Sequence, residues 1–138
     1  MLFRNCAGGL VFFGEKVFLL KNEKEEWVFP KGLIREGMSP KETAAARTLA
    51  EAGIRAAALR PAGHTSYEFY SLTRHRPVCN EVSWFLMEAE SGDYAVSHAE
   101  GFRDGGWFDR AESLQKVTYS QDRKLLEEAW RSYEALRG

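Results

Sequence analysis

Between Phe29 and Pro40 a lysine, Lys31, stands beside Gly32, and a second glycine, Gly37, precedes a helix signal at Ser39-Pro40. Backbone N–H groups in such a loop approach an anion closely, and the positive end of the helix dipole favours negative charge there. On the helix that follows, positions 47, 50 and 51 share one face. Three carboxylates on that face would form an oxygen cage for Mg²⁺ or Mn²⁺, ions that bridge phosphate oxygens and generate an attacking hydroxide. The residues there are Arg47, Ala50 and Glu51. One carboxylate with a guanidinium four residues before it predicts weak divalent-metal binding and a retained attraction for phosphate. The Arg47–Glu51 pair is expected to be an exposed i,i+4 contact worth about 0.3–0.5 kcal/mol.

The remaining polar residues are less specific. Glu36 reads as a solvated loop residue and Glu42 as a helix cap, whereas Glu100 reads equally as surface charge or as a residual general base. His64, His75 and His98 share no metal-ligand spacing, and Ser66 and Ser83 lack a nucleophile elbow. Tyr67 and Trp27 are aromatic rings that could stack on a base, with core packing the alternative for each. Arg74-His75-Arg76 reads as a solvated basic loop.

The elements that must position these residues follow from periodicity and turn chemistry. Ala7–Phe13 and Lys16–Lys21 flank Gly14-Glu15, a two-residue hairpin turn, and Trp27-Val28-Phe29 is a short strand stopped by Pro30. Gly32 to Gly37 reads as a loop. Ser39 as N-cap, Pro40 at the first helical position and Glu42 at the third form a capping box, and Gly53 supplies the stop. Tyr67–Leu72 and Val82–Glu88 read as a strand pair, Gly106-Trp107-Phe108 as a brief strand, and Arg110–Gln115 as a short helix. Thr118 and Gln121 suggest a second capping box. Leu125, Leu126, Ala129, Trp130, Tyr133 and Leu136 then mark one helix face for core packing. Strands, helix, strands, helix favour a mixed α/β sandwich over a doubly wound sheet.

Composition sets the outer bounds. The 138 residues suit a single domain, 1–138, and a hydrophobic share of 44% supports a packed core. A formal charge of −1 recommends neither an extended nucleic acid nor an anionic membrane as partner. The longest apolar run, Leu10-Val11-Phe12-Phe13, is far short of the ~20 residues that span a bilayer. Cys6 and Cys79, with no CxxC, read as reduced thiols of a cytoplasmic protein that lacks a signal peptide.

From Gly32 onward the chain resembles the Nudix hydrolases, whose box runs G-x5-E-x7-R-E-U-x-E-E-x-G-U, with U a bulky aliphatic residue. Gly32, Glu51, Gly53 and Ile54 match without gaps, while Met38, Ala46, Arg47, Thr48 and Ala50 replace the other defining positions. Pro30-Lys31-Gly32, Phe85-Leu86, Trp107-Phe108 and Thr118-Tyr119 through Asp122-Arg123 are similar to landmarks of the diadenosine polyphosphate hydrolase branch. The resemblance implies an α/β/α sandwich with a mixed sheet. Its ligand would be a nucleotide or dinucleotide with a phosphoanhydride bond, and its chemistry a Mg²⁺- or Mn²⁺-assisted attack of water on phosphorus. By the same resemblance Glu51 would be the surviving metal ligand and catalytic carboxylate, and Glu100 an extra catalytic glutamate. Lys31, Gly32, Arg47 and Tyr67 would contact substrate. A nucleotide-binding module without catalysis and a purely structural domain are the competing expectations.

Overall fold

A computed structural model describes residues 1–138. Its elements are β1 (Leu2–Phe13), β2 (Lys16–Asn22), β3 (Trp27–Val28), β4 (Lys31–Leu33), α1 (Pro40–Ala52), β5 (Ala56–Ser71), β6 (Arg76–Ala89), β7 (Phe102–Phe108), α2 (Arg110–Lys116) and α3 (Ser120–Arg137). The strands run β3-β2-β1-β6-β5, with β4 also paired to β1 and β7 to β2. β1 and β6 are parallel and every other pair is antiparallel, so the sheet is mixed.

Strand β1 is central, and its alternation builds both layers of the sandwich. Leu10 and Phe12 point to the α3 side, whereas Ala7 and Val11 point to the α1 side. Phe12 meets Trp130 edge-on at 4.8 Å and stacks on Tyr133 at 4.4 Å, which fixes α3 on the sheet. A strand covered on both faces reads as a continuous apolar run, which is why Leu10-Val11-Phe12 does not alternate in polarity. Leu125, Leu126, Ala129, Trp130 and Tyr133 are buried as the helical stripe requires, while Leu136 lies in the last turn of the helix and is 47% exposed.

The hairpin at Gly14-Glu15 forms as expected, with Phe13 opposite Lys16 and Gly14 at φ +62°. The capping box on α1 forms too: Glu42 N–H donates to Ser39 Oγ, and Ser39 N–H to Glu42 Oε1. Gly53 closes the helix in the left-handed region at φ 67°. An added Cβ there would lie 2.8 Å from the backbone N and O of Ala95. Gly53→Ala is therefore expected to destabilise the protein by about 1–3 kcal/mol, read from urea denaturation midpoints.

Three expectations need correction. Gly32 is not in a loop: Lys31–Leu33 is strand β4, with Gly8 opposite Lys31 and Ala7 opposite Gly32. Three residues show no alternation, so the pairing is imposed by β1. Strand β5 starts at Ala56, well before Tyr67, because register shifts at Ala58/Arg60 and Pro61/Gly63 absorb the residues that interrupt its pattern. The second capping box does not form. Tyr119 is the N-cap of α3 and makes no side-chain cap bond. Thr118 Oγ1 instead accepts from Trp27 N–H at 2.8 Å. Gln121 is turned to β5, its Oε1 accepting from Ser66 N–H and its Nε2 donating to Ser66 O.

Candidate functional site

Glu51 lies in the last turn of α1 and is only 5% exposed. A carboxylate so buried must be hydrogen-bonded and paired. Its Oε1 accepts from Lys31 N–H at 3.3 Å, and its Oε2 accepts from Arg47 Nε at 3.3 Å and Nη2 at 2.9 Å. The Nη2 group of Arg47 also donates to Glu100 Oε1 at 2.8 Å. The expected exposed pair is thus corrected to a triad, Glu51–Arg47–Glu100, in which Glu51 is buried, Arg47 half-buried and Glu100 at the surface. Burial pushes the Glu51 carboxyl above its ordinary range, and Arg47 and Lys31 offset part of that rise. Burial alone would lower the Arg47 guanidinium, but its hydrogen bonds to Glu51 and Glu100 hold it above the usual arginine value.

Two backbone features assemble the triad. Strand β4 crosses α1 at Gly32, where an added Cβ would stand 2.7 Å from Arg47 Cδ and Nε, so glycine leaves the lane in which the arginine stem lies. The segment after β6 laces the C-terminal end of α1. Ala95 N–H donates to Ala52 O and Ser97 N–H to Glu51 O, satisfying carbonyls that a helix end leaves free. Ser97 Oγ then accepts from Glu100 N–H, fixing the turn that carries Glu100.

This donor set does not fit a divalent cation. Glu51 and Glu100 both converge on Arg47, and no group of three or more His, Cys, Asp and Glu side chains is placed to hold a metal. Met38, Ala46 and Ala50 are exposed and offer no oxygen. Glu42 is engaged at its cap and Glu36 is exposed in the loop.

Beside the triad, a cleft of about 700 Å³ opens between β5, β6 and the start of α3, lined by Lys31, Tyr67, Asn80, Trp84, Tyr119 and Asp122 among others. Lys31 Nζ lies 5.4 Å from the Tyr67 ring centroid. The Tyr67 hydroxyl accepts from Asn80 Nδ2 at 2.8 Å, and the buried Oδ1 of Asn80 has no partner. Trp84 Nε1 donates to Thr65 Oγ1 at 2.8 Å. The Tyr119 hydroxyl donates to Glu26, which pushes the phenol up to about 12. Burial raises the Asp122 carboxyl to about 6, with Lys31 pulling it back.

Lys31, Gly32, Arg47, Glu51 and Glu100 therefore gather around one point, and Tyr67 joins through the cleft wall. Trp27 lies elsewhere, edge-on to Phe108 at 5.3 Å and beneath Lys116. Arg74, His75 and Arg76 are at the exposed far end of the β5–β6 hairpin. Asn80, Tyr119 and Asp122 escape a reading of the sequence as cleft residues, although Tyr119 and Asp122 fall within a landmark segment of the resemblance.

The sheet with helices on both faces is the Nudix type of α/β sandwich. Residues 2–129 match the NUDIX domain, and the chain belongs to that family. It is 30% identical over 103 residues to the putative mutator protein MutT4 of Mycobacterium tuberculosis, covering 75% of this chain but only 40% of that protein. It is 25% identical over 122 residues to the RNA pyrophosphohydrolase of Hydrogenovibrio crunogenus, covering 79% of this chain and 71% of that one. A NUDIX hydrolase from Nitrosomonas europaea superposes with a TM-score of 0.73 at 18% identity, over 96% of this chain and 72% of that chain. The C. elegans Ap4A hydrolase does so with a TM-score of 0.69 at 19% identity, over 100% of both chains. No helix is long and apolar enough to cross a membrane.

Proposed function

We propose that this chain binds nucleotides carrying a phosphoanhydride bond, and that its metal-assisted hydrolysis is weak. The base occupies the cleft beside Tyr67, and the phosphates run past Lys31 and Gly32 toward Arg47. The observation that carries this reading is the position of Lys31. Its N–H donates to Glu51 while its Nζ lies over the Tyr67 ring, so one residue spans the triad and the cleft. Weak hydrolysis follows from a Nudix box degenerate at Met38, Ala46, Arg47, Thr48 and Ala50. A dinucleotide polyphosphate is a candidate ligand, supported by the landmarks shared with diadenosine polyphosphate hydrolases. In this reading residues 1–138 act as one domain in the reducing cytoplasm, where Cys6 and Cys79 stay thiols.

A second reading, favoured by family membership, is an active hydrolase in which Glu51 still holds a metal and Glu100 serves as general base. Thermal shifts with ADP, ATP and diadenosine tetraphosphate, run beside a phosphate-release assay in Mg²⁺ and Mn²⁺, separate the two. A ligand at a hundred times its Kd stabilises by about 2.7 kcal/mol, which is easily resolved. Lys31→Ala is expected to shrink the shift for ADP but not to lower the melting temperature of the free protein appreciably, because the backbone N–H to Glu51 remains. Rapid metal-dependent turnover would select the hydrolase. An unchanged ADP shift in Lys31→Ala would place the phosphates elsewhere.

A further inference from the structure

We infer that the Arg47 guanidinium takes the place of a divalent cation in this Nudix chain, neutralising Glu51 and Glu100 and offering its Nη1 group to a phosphate oxygen, so that phosphate binding here needs no metal. The inference rests on the proposed nucleotide binding and specifies how it is achieved. Its starting point is the mismatch between the family's metal chemistry and these donors.

The hydrogen-bond inventory of Arg47 leads to the ligand. A guanidinium has five N–H donors and no acceptor. Nε–H goes to Glu51, and the two protons of Nη2 are divided between Glu51 and Glu100. Nη1 makes no hydrogen bond within the protein, and the side chain is 29% exposed. The two N–H donors of Nη1 thus remain for a ligand, and a charge-assisted hydrogen bond from a guanidinium to a phosphate oxygen is among the strong ones.

The surroundings are built for the arginine rather than for an ion. Glu51 has both oxygens engaged, one by Lys31 N–H and one by Arg47. A cation approaching those oxygens would meet a fixed positive charge already in contact with both carboxylates. Displacing the arginine would also empty the space beneath Gly32, where its Cδ and Nε lie. The triad carries two negative charges against one positive, and Lys31 balances the remainder at the mouth of the cleft. Within the triad, an incoming phosphate therefore meets carboxylates that are already paired with Arg47. A bound divalent ion performs the same service in sites that keep their acids.

The test uses the full chain with inorganic pyrophosphate and ADP as probes, each in EDTA and in millimolar Mg²⁺, read by thermal shift and by calorimetry. Mn²⁺ binding is followed separately by the loss of its free electron-paramagnetic signal. The expected result is a pyrophosphate and ADP response that persists in EDTA, with no Mn²⁺ site tighter than millimolar. Arg47→Gln should weaken pyrophosphate by about tenfold or more, the scale of one charge-assisted hydrogen bond. Arg47→Lys guards against a folding defect, because it retains the charge over Glu51 but loses the fork, and it too should weaken pyrophosphate. A response seen only with Mg²⁺ or Mn²⁺, or micromolar Mn²⁺ binding to the unaltered protein, overturns the inference while leaving nucleotide binding intact. Undiminished pyrophosphate affinity in both folded variants also overturns it. No response to either probe under any condition removes the proposed nucleotide binding itself.

Discussion

Arg47→Ala is expected to cost about 3–5 kcal/mol of folding stability, the loss that follows when one partner of a buried ion pair is removed. The remaining carboxylate, Glu51, would keep only the Lys31 N–H at 3.3 Å. For a chain of this size the loss corresponds to a fall of roughly 10–17 °C in Tm, measurable by calorimetry. Most of the cost is the stranded charge, so Glu51→Gln in the Arg47→Ala background should recover a large part of it. The pH dependence carries its own signature. Burial already raises the Glu51 carboxyl, and loss of Arg47 removes the main opposing influence. A carboxyl raised in the fold binds more protons folded than unfolded, so the variant should gain stability as pH falls through the raised value toward 4.5. An Arg47→Ala protein as stable as its parent at pH 8 would refute the account of Glu51 as a buried carboxylate held by Arg47.

Asp122→Asn should act in the opposite direction and stabilise the protein at neutral and alkaline pH. Burial lifts this carboxyl from 3.8 to about 6. Its folded-state pKa is raised, so its favourable contribution is complete below the unfolded value and is lost as pH rises through about 6. Holding the side chain ionised above that point costs no more than about 3 kcal/mol, which the amide avoids. Denaturation midpoints at pH 8 and pH 4 should show a gain at the first that vanishes at the second. Equal gains at both would mean that the carboxylate's charge is not the cause. A residue that is held against the stability of the fold, at the wall of a cleft, is the pattern expected where a ligand is met.

Much of the frame was legible in the sequence because the deciding forces were local. Ser39, Pro40, Glu42 and Gly53 bound α1 within a residue or so, since capping acts over one helical turn. The stripe on α3 identified its buried face for the same reason. Failures occurred where tertiary partners prevailed. Gly32 lies in a strand because β1 pairs with it, and Thr118 and Gln121 find their hydrogen bonds on Trp27 and Ser66 rather than on each other. For the site, the spacing of Arg47 and Glu51 was readable, but their burial was not. Burial comes from β4 crossing the helix and from the turn bearing Glu100, which is 53 residues away from Arg47 in sequence. The alliance of Asn80 with Tyr67 arises from cross-strand register between β5 and β6, where the two are directly opposite.

Gln121 has a consequence for self-association. Strand β5 is the outer strand of the sheet, and Tyr67, Phe69 and Tyr70 on it are exposed. An open edge that carries exposed aromatic rings is a template on which another chain can add a strand. At Ser66 both ladder groups are already spoken for, the N–H by Gln121 Oε1 and the carbonyl by Gln121 Nε2. One carboxamide thus imitates the neighbouring strand at that residue and interrupts the run of free backbone groups. An intruding strand would have to break both bonds and lift the first turn of α3 to continue past it. The helix that completes the cleft is in this way also the guard of the sheet's most vulnerable border.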